Sequence, residues 1–114
     1  VGVDQFDKNH PEIASHIFLL LTALNPKVGA YWYALGTAEE KRGEMESAMH
    51  SYLFASELEM RTLNPYLQGA RCLLLFNKIE QARALLNRAL ERAKEEPALK
   101  NEKGKIEKVL KSLK

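Results

Sequence analysis

Three sets of side chains in this sequence carry reactive or ligating groups, and the spacing of each decides what chemistry it could do. Cys72 follows Arg71, whose positive charge would favour a thiolate nucleophile. Leu73, Leu74, Leu75 and Phe76 come next, an apolar run that reads as a buried helix face and makes the thiol structural. The histidines are His10, His16 and His50, and the last two stand 34 residues apart. Metal-ligating pairs normally sit within one helical turn beside further Cys, His or carboxylate partners. Neither histidine has such a neighbour, so a partly exposed polar position is expected for both and no metal site. Glu39 and Glu40 could supply an acid and a base, but adjacent residues of a helix point in different directions. They read as solvated charges. Gly36 and Gly43 stand in no glycine-rich strand-to-helix turn of the kind that cradles phosphate. No enzyme and no cofactor are expected.

Composition narrows the partners. The net charge is +2, and residues 92 to 114 hold eight Lys or Arg against four Glu, so the basic excess is a property of the tail. The run from Lys100 to Lys114 could touch nucleic acid or an acidic membrane surface. Glu102 and Glu107 dilute it, however, and no aromatic accompanies it for base stacking. A solvated face of a terminal helix is expected instead, with no nucleic-acid partner. The longest apolar runs, Ile17 to Leu21 and Cys72 to Phe76, fall far short of the ~20 residues of a membrane span, so no membrane insertion is expected. No basic leader precedes an apolar stretch. A single cysteine excludes an internal disulfide and fits a reducing, cytoplasmic setting.

The elements that must position these residues centre on Tyr31 to Leu58, which reads as two antiparallel helices folded at Gly43. Trp32 with Leu35 and Glu39, and Ala48 with Tyr52 and Ala55, recur at three and four residues, so each set lies along one helical face. Small residues at Gly36, Ala48 and Ala55 let backbones approach while Trp32 and Tyr52 fill the remaining volume. A step of 34 residues carries Trp32 to Tyr66, Gly36 to Ala70, Ala48 to Ala82, Tyr52 to Leu86 and Ala55 to Ala89. The reverse step carries Ala48 to Ala14, Tyr52 to Phe18 and Leu58 to Leu24. Both the period and the W-x2-L-G, alanine, aromatic, alanine signature resemble the tetratricopeptide repeat.

That resemblance implies an all-α solenoid of helix hairpins in a single domain, 1–114. Residues 12–26 form the second helix of a partial repeat, 29–62 and 63–96 two complete repeats, and 97–114 a capping helix with a polar outer face. The first helix is placed at Glu12 to Leu24 with Ile13, Ile17, Phe18, Leu21 and Leu24 as its apolar side, after a turn marked by Asp7, Asn9 and Pro11. The period puts most of its partner helix before Val1. Helices follow at about Tyr66 to Phe76 and Ile79 to Lys94, with Asn77 in the turn position that Gly43 holds one repeat earlier. Pro97 restarts the chain into a last helix carrying Leu99, Ile106, Leu110 and Leu113.

In tetratricopeptide proteins the first helix of each repeat lines a concave groove that takes a peptide. The resemblance assigns to it Ala30, Tyr33, Thr37 and Lys41, then Asn64, Leu67, Gln68, Arg71, Leu74 and Leu75. Such a surface suits apolar side chains of a partner. Co-chaperones that clamp a C-terminal carboxylate use lysine, arginine and asparagine, where this chain has Tyr33, Thr37 and Gln68, so that clamp is absent as a set.

A narrower resemblance covers residues 12 to about 93. The segments YWYALGTAEEKRGEMESAMHSYLFASELE and NPYLQGARCLLLFNKIEQARALLNRALE are similar to class II chaperones of bacterial type III secretion, the LcrH/SycD family. It implies a cytoplasmic holdase that keeps hydrophobic translocator or other exported proteins soluble before export, without nucleotide, and a possible homodimer. Glu39 departs from the pattern by standing where the repeat usually has an aromatic. The reading of a different class is a structural adaptor that holds a larger assembly together.

Overall fold

A computed structural model describes residues 10–58 and 62–113. The turn expected around Asp7 and Asn9 lies outside them. The described chain is helical throughout: α1 Pro11–Leu24, α2 Gly29–Lys41, α3 Met45–Glu57, α4 Asn64–Leu75, α5 Ile79–Glu95, a 3-10 turn Pro97–Leu99, and α6 Lys100–Ser112. Two prolines act as starters. Pro11 opens α1 and Pro65 sits in the first turn of α4, where a missing N–H costs nothing and the fixed φ favours the helix. Asn25 and Pro26 stop α1 as the sequence requires.

The two hairpin turns are built alike. Gly43 has φ 82° and Asn77 φ 60°, both left-handed. Around the first, the Glu44 N–H donates to the Glu39 carbonyl (2.9 Å) and the Gly43 N–H to that of Glu40 (2.9 Å). Around the second, Lys78 N–H donates to Leu73 (2.8 Å) and Asn77 N–H to Leu74 (3.0 Å), the same pattern one repeat later. Each closes its helix by satisfying two carbonyls that would otherwise be orphaned.

Contacts gather the chain into two compact units divided between Glu59 and Met60. In the first, α2 packs against both α1 and α3. Its core holds Ala14, Leu35, Ala38, Ala48, Met49, Tyr52 and Ala55. Burying the Tyr52 and Leu35 side chains contributes about 1.5–3 kcal/mol each.

Two details differ from the sequence reading. Trp32, expected to fill the core, is only half-buried. Its ring stacks on Phe54 at 4.7 Å between centroids and its indole N–H donates to the Pro26 carbonyl (2.8 Å), so it seals the α1–α2 corner. An indole needs a partner for its N–H, and the rim supplies one. On α1 the buried residues are small or polar, Ala14, Ser15 and Thr22, whereas Ile13 (45%), Ile17 (38%) and Leu24 (65%) are exposed. Close helix approach explains this. Ser15 and Thr22 satisfy their hydroxyls on Glu12 and Leu19 carbonyls (2.9 and 2.7 Å), and Arg42 donates to Ser15 Oγ (2.9 Å).

In the second unit α4 and α5 form a hairpin and α6 lies against α5. Tyr66, Ala70, Leu73, Ala82, Leu85, Leu86 and Ala89 build its core, and Leu99 and Ile106 anchor the last helix to it. Cys72 is fully buried, as expected, but the apolar run after it is not one buried face: Leu73 is buried, whereas Leu75 and Phe76 are exposed, because consecutive residues of a helix point in different directions. The lysines of α6 at 100, 105, 108 and 111 are exposed, as a capping helix requires. Glu102 ties this helix to the start of α4: one carboxylate oxygen accepts from the Thr62 hydroxyl (2.6 Å) and the Leu63 N–H (2.8 Å). Thr62 in turn accepts from the Asn64 N–H (3.1 Å). Glu102→Ala orphans this cluster and should cost about 1–3 kcal/mol. Denaturant titration checks it, and an unchanged midpoint would show that the staple contributes nothing.

Candidate functional site

The assigned positions of the first unit lie along α2. Ala30 and Lys41 are exposed, near the two ends of the helix, and Tyr33 and Thr37 are half-buried one turn apart. Tyr52 of α3 brings the latter two together. Its ring is tilted against Tyr33 at 5.4 Å between centroids, and its hydroxyl lies 3.3 Å from Thr37 Oγ1. The same hydroxyl donates to Glu40 Oε1 (2.9 Å). Burial pushes the Tyr52 phenol well above its ordinary range, so the donor keeps its proton at any physiological pH. Thr37 Oγ1 donates to the Tyr33 carbonyl (3.1 Å), which fixes its orientation.

This constellation exists because Gly36 lets the Tyr52 ring lie on the α2 backbone. A Cβ at Gly36 would stand 2.8 Å from Tyr52 Cε1 and 2.9 Å from Cδ1. Glu40 was not among the assigned positions. It falls seven residues after Tyr33, on the same helical stripe, and the i, i+4, i+7 spacing of 33, 37 and 40 was its signal.

Glu39 faces another way. Its carboxylate accepts from the Ser51 hydroxyl of α3 (2.5 Å), so a polar pair occupies the place of the usual aromatic. Burial raises the Glu39 carboxyl above its ordinary value, and Ser51 offsets only part of the effect. A carboxyl raised in the folded state favours folding when protonated. That contribution is present below the unfolded-state value and is lost as pH rises through the folded-state one. Glu39→Gln, whose amide oxygen can still accept from Ser51, should therefore match or exceed the parent in stability at pH 7, with the difference fading toward pH 4. Thermal unfolding across that range checks it, and an advantage that grew on acidification would contradict the assignment. Ser51→Ala should cost about 1–2 kcal/mol at neutral pH.

In the second unit the assigned positions share one face of α4, opposite Tyr66, Ala70 and Leu73. Asn64, Arg71 and Leu75 are exposed, Leu75 at 63%, and Leu67, Gln68 and Leu74 are half-buried. Arg71 donates twice to Gln68 Oε1, from Nε (2.9 Å) and Nη2 (2.7 Å). The pair holds a planar polar group between leucines. His16 and His50 are both exposed. Among the described residues no cluster of three or more His, Cys, Asp or Glu could hold a metal, and no helix is long and apolar enough to cross a membrane.

No protein-family model matches the sequence, and no curated protein does. The fold, by contrast, is shared with solved structures of one class, the translocator chaperones of type III secretion. PcrH in complex with the chaperone-binding region of PopD superposes with TM-score 0.81 at 21% identity, over 96% of this chain and 83% of that one. SycD of Yersinia enterocolitica in complex with a peptide of the translocator YopD gives 0.80 at 22%, over 96% and 84%. SycD described as an alternative dimer gives 0.79 at 22%, over 96% and 83%. The chain therefore has the all-α, tetratricopeptide-like fold of these chaperones, in agreement with the LcrH/SycD resemblance read from its residues.

Proposed function

We propose that this protein is a type III secretion chaperone that holds an apolar segment of a translocator or other exported protein in the bacterial cytoplasm, in the groove lined by the first helix of each repeat. The observation that carries this reading is the face of α4. A helix whose opposite side is packed tightly keeps Leu67 and Leu74 half-exposed and Leu75 largely so, and it frames them with the polar Gln68–Arg71 pair. Apolar side chains held beside orienting polar groups suit an extended client peptide better than water. One structure of the same fold holds the chaperone-binding region of PopD, and another a peptide of the translocator YopD. Binding and release need no nucleotide chemistry. A homodimer belongs to the same reading, supported by the dimer described for SycD.

The experiment is affinity purification from secreting cells followed by mass spectrometry of the copurifying proteins. Recovery of an exported, apolar-rich protein at stoichiometric level is expected. Recovery of scaffold components alone would replace this reading by that of a structural adaptor.

A further inference from the structure

The first helix of each repeat is started by different means. α2 begins on its own adjoining loop, where the Val28 N–H donates to the Asn25 carbonyl (3.3 Å) and the Tyr31 N–H to that of Val28 (3.1 Å). α4 is started from a distance. Leu63, fully buried at its N-cap position, has no side chain able to accept a hydrogen bond. The acceptor comes from α6: Glu102 Oε1 takes the Leu63 N–H (2.8 Å) and the Thr62 hydroxyl (2.6 Å), and Thr62 Oγ1 takes the Asn64 N–H (3.1 Å). The Leu63 carbonyl then accepts from the Leu67 N–H (3.2 Å). The residue that Glu102 holds by its N–H thus carries the backbone of Leu67 on its carbonyl, all within the second unit.

Resting on the client-binding reading, we infer that Glu102 is a positioning residue for that site, which makes the affinity for a client depend on whether α6 is docked. Asn64 and Leu67, two of the positions assigned to the client, stand in the turn that Glu102 closes. A helix end frays unless its first N–H groups find acceptors, and a carboxylate there also meets the positive end of the helix dipole. α6 itself is held lightly. Leu99 and Ile106 are the apolar anchors buried at its base, and at its far end Arg83 of α5 donates to the Leu113 carbonyl (3.1 Å). Gly104 stands between the two anchors, and a Cβ there would meet nothing within 4 Å, so it lowers helix propensity without any packing reason. Lifting α6 takes the acceptor away from α4 while leaving the strip itself open to no competitor. A client bound to α4 in turn holds α6 down, because coupling between two equilibria is reciprocal.

In the test, the exported protein recovered with the parent is labelled and titrated into each variant of the full chain by fluorescence anisotropy. Glu102→Ala should weaken binding about tenfold and speed amide exchange at Leu63 and Asn64 by about as much. Glu102→Gln, whose amide oxygen can still accept from Thr62 and Leu63, should bind within about twofold of the parent. Arg83→Ala frays only the last turn of α6, so it too should stay within about twofold and leave exchange at Leu63 unchanged. Thr62→Val keeps the Leu63 bond and loses the one to Asn64, and should cost about threefold. Circular dichroism checks the fold of each variant, and Thr62→Val decides if Glu102→Ala does not fold. Parental binding by the deciding variant, a loss that Glu102→Gln shares in full, or an equal loss in Arg83→Ala overturns the role of Glu102 while the client-binding reading stands. Recovery of no exported protein with the parent overturns both.

Discussion

Gly36→Ala is expected to lower the stability of the first unit by about 1–3 kcal/mol, and a β-branched residue there by more. Alanine has the better helix propensity, by about 1 kcal/mol, so the substitution would be favourable on an open helix face. Here the added Cβ would enter the ring of Tyr52 at 2.8 Å. That ring cannot swing aside cheaply, because it is almost fully buried, tilted against Tyr33 and tethered through its hydroxyl to Glu40. Thermal unfolding should show a midpoint lower by several degrees per kcal/mol. The next repeat indicates the rescue: where Gly36 becomes Ala70, Tyr52 becomes Leu86, and both are buried. The double variant Gly36→Ala, Tyr52→Leu should therefore recover part of the loss, a coupling that a double-mutant cycle reads directly. Additive losses would show that the two positions do not share volume.

The largest functional effect is expected from a charge on α4. Leu67→Asp or Leu74→Asp should weaken capture of the client by about a hundredfold or more, since an unpaired carboxylate would be desolvated against apolar side chains. Both positions are half-exposed and lie outside the packed face of Tyr66, Ala70 and Leu73, so helical content and unfolding midpoint should change little. Pull-down of the copurifying protein with each variant checks the prediction. Capture at the parental level by both variants would remove α4 from the binding surface.

Much of the fold was legible in the chain because the repeat writes each constraint twice. Gly43 and Asn77 share one left-handed turn geometry, and both residue types tolerate it, so spacing and chemistry agree. The core alanines at 14, 48, 82, 55 and 89 are buried where a close helix approach requires them. What was not legible depends on partners distant in sequence. Trp32 looks like a core residue from its type alone, but the Pro26 carbonyl and Phe54 hold it at the rim. Periodicity likewise names Ile13, Ile17 and Leu24 as the contact side of α1, because it registers hydrophobicity and not the small volume that lets two helices touch at Ser15 and Thr22. Glu39 made sense only once Ser51 was seen across from it. Of the candidate site, helical spacing accounts for how the assigned positions are placed along α2 and α4. It does not account for the link from Tyr52 to Glu40, since that joins two helices through a hydroxyl whose direction no spacing encodes.

The burial of Cys72 gives the molecule an internal clock. It is the chain's single thiol and it is fully buried, so a maleimide can reach it only when the structure around it opens. The alkylation rate under native conditions thus reports the breathing of the structure around α4.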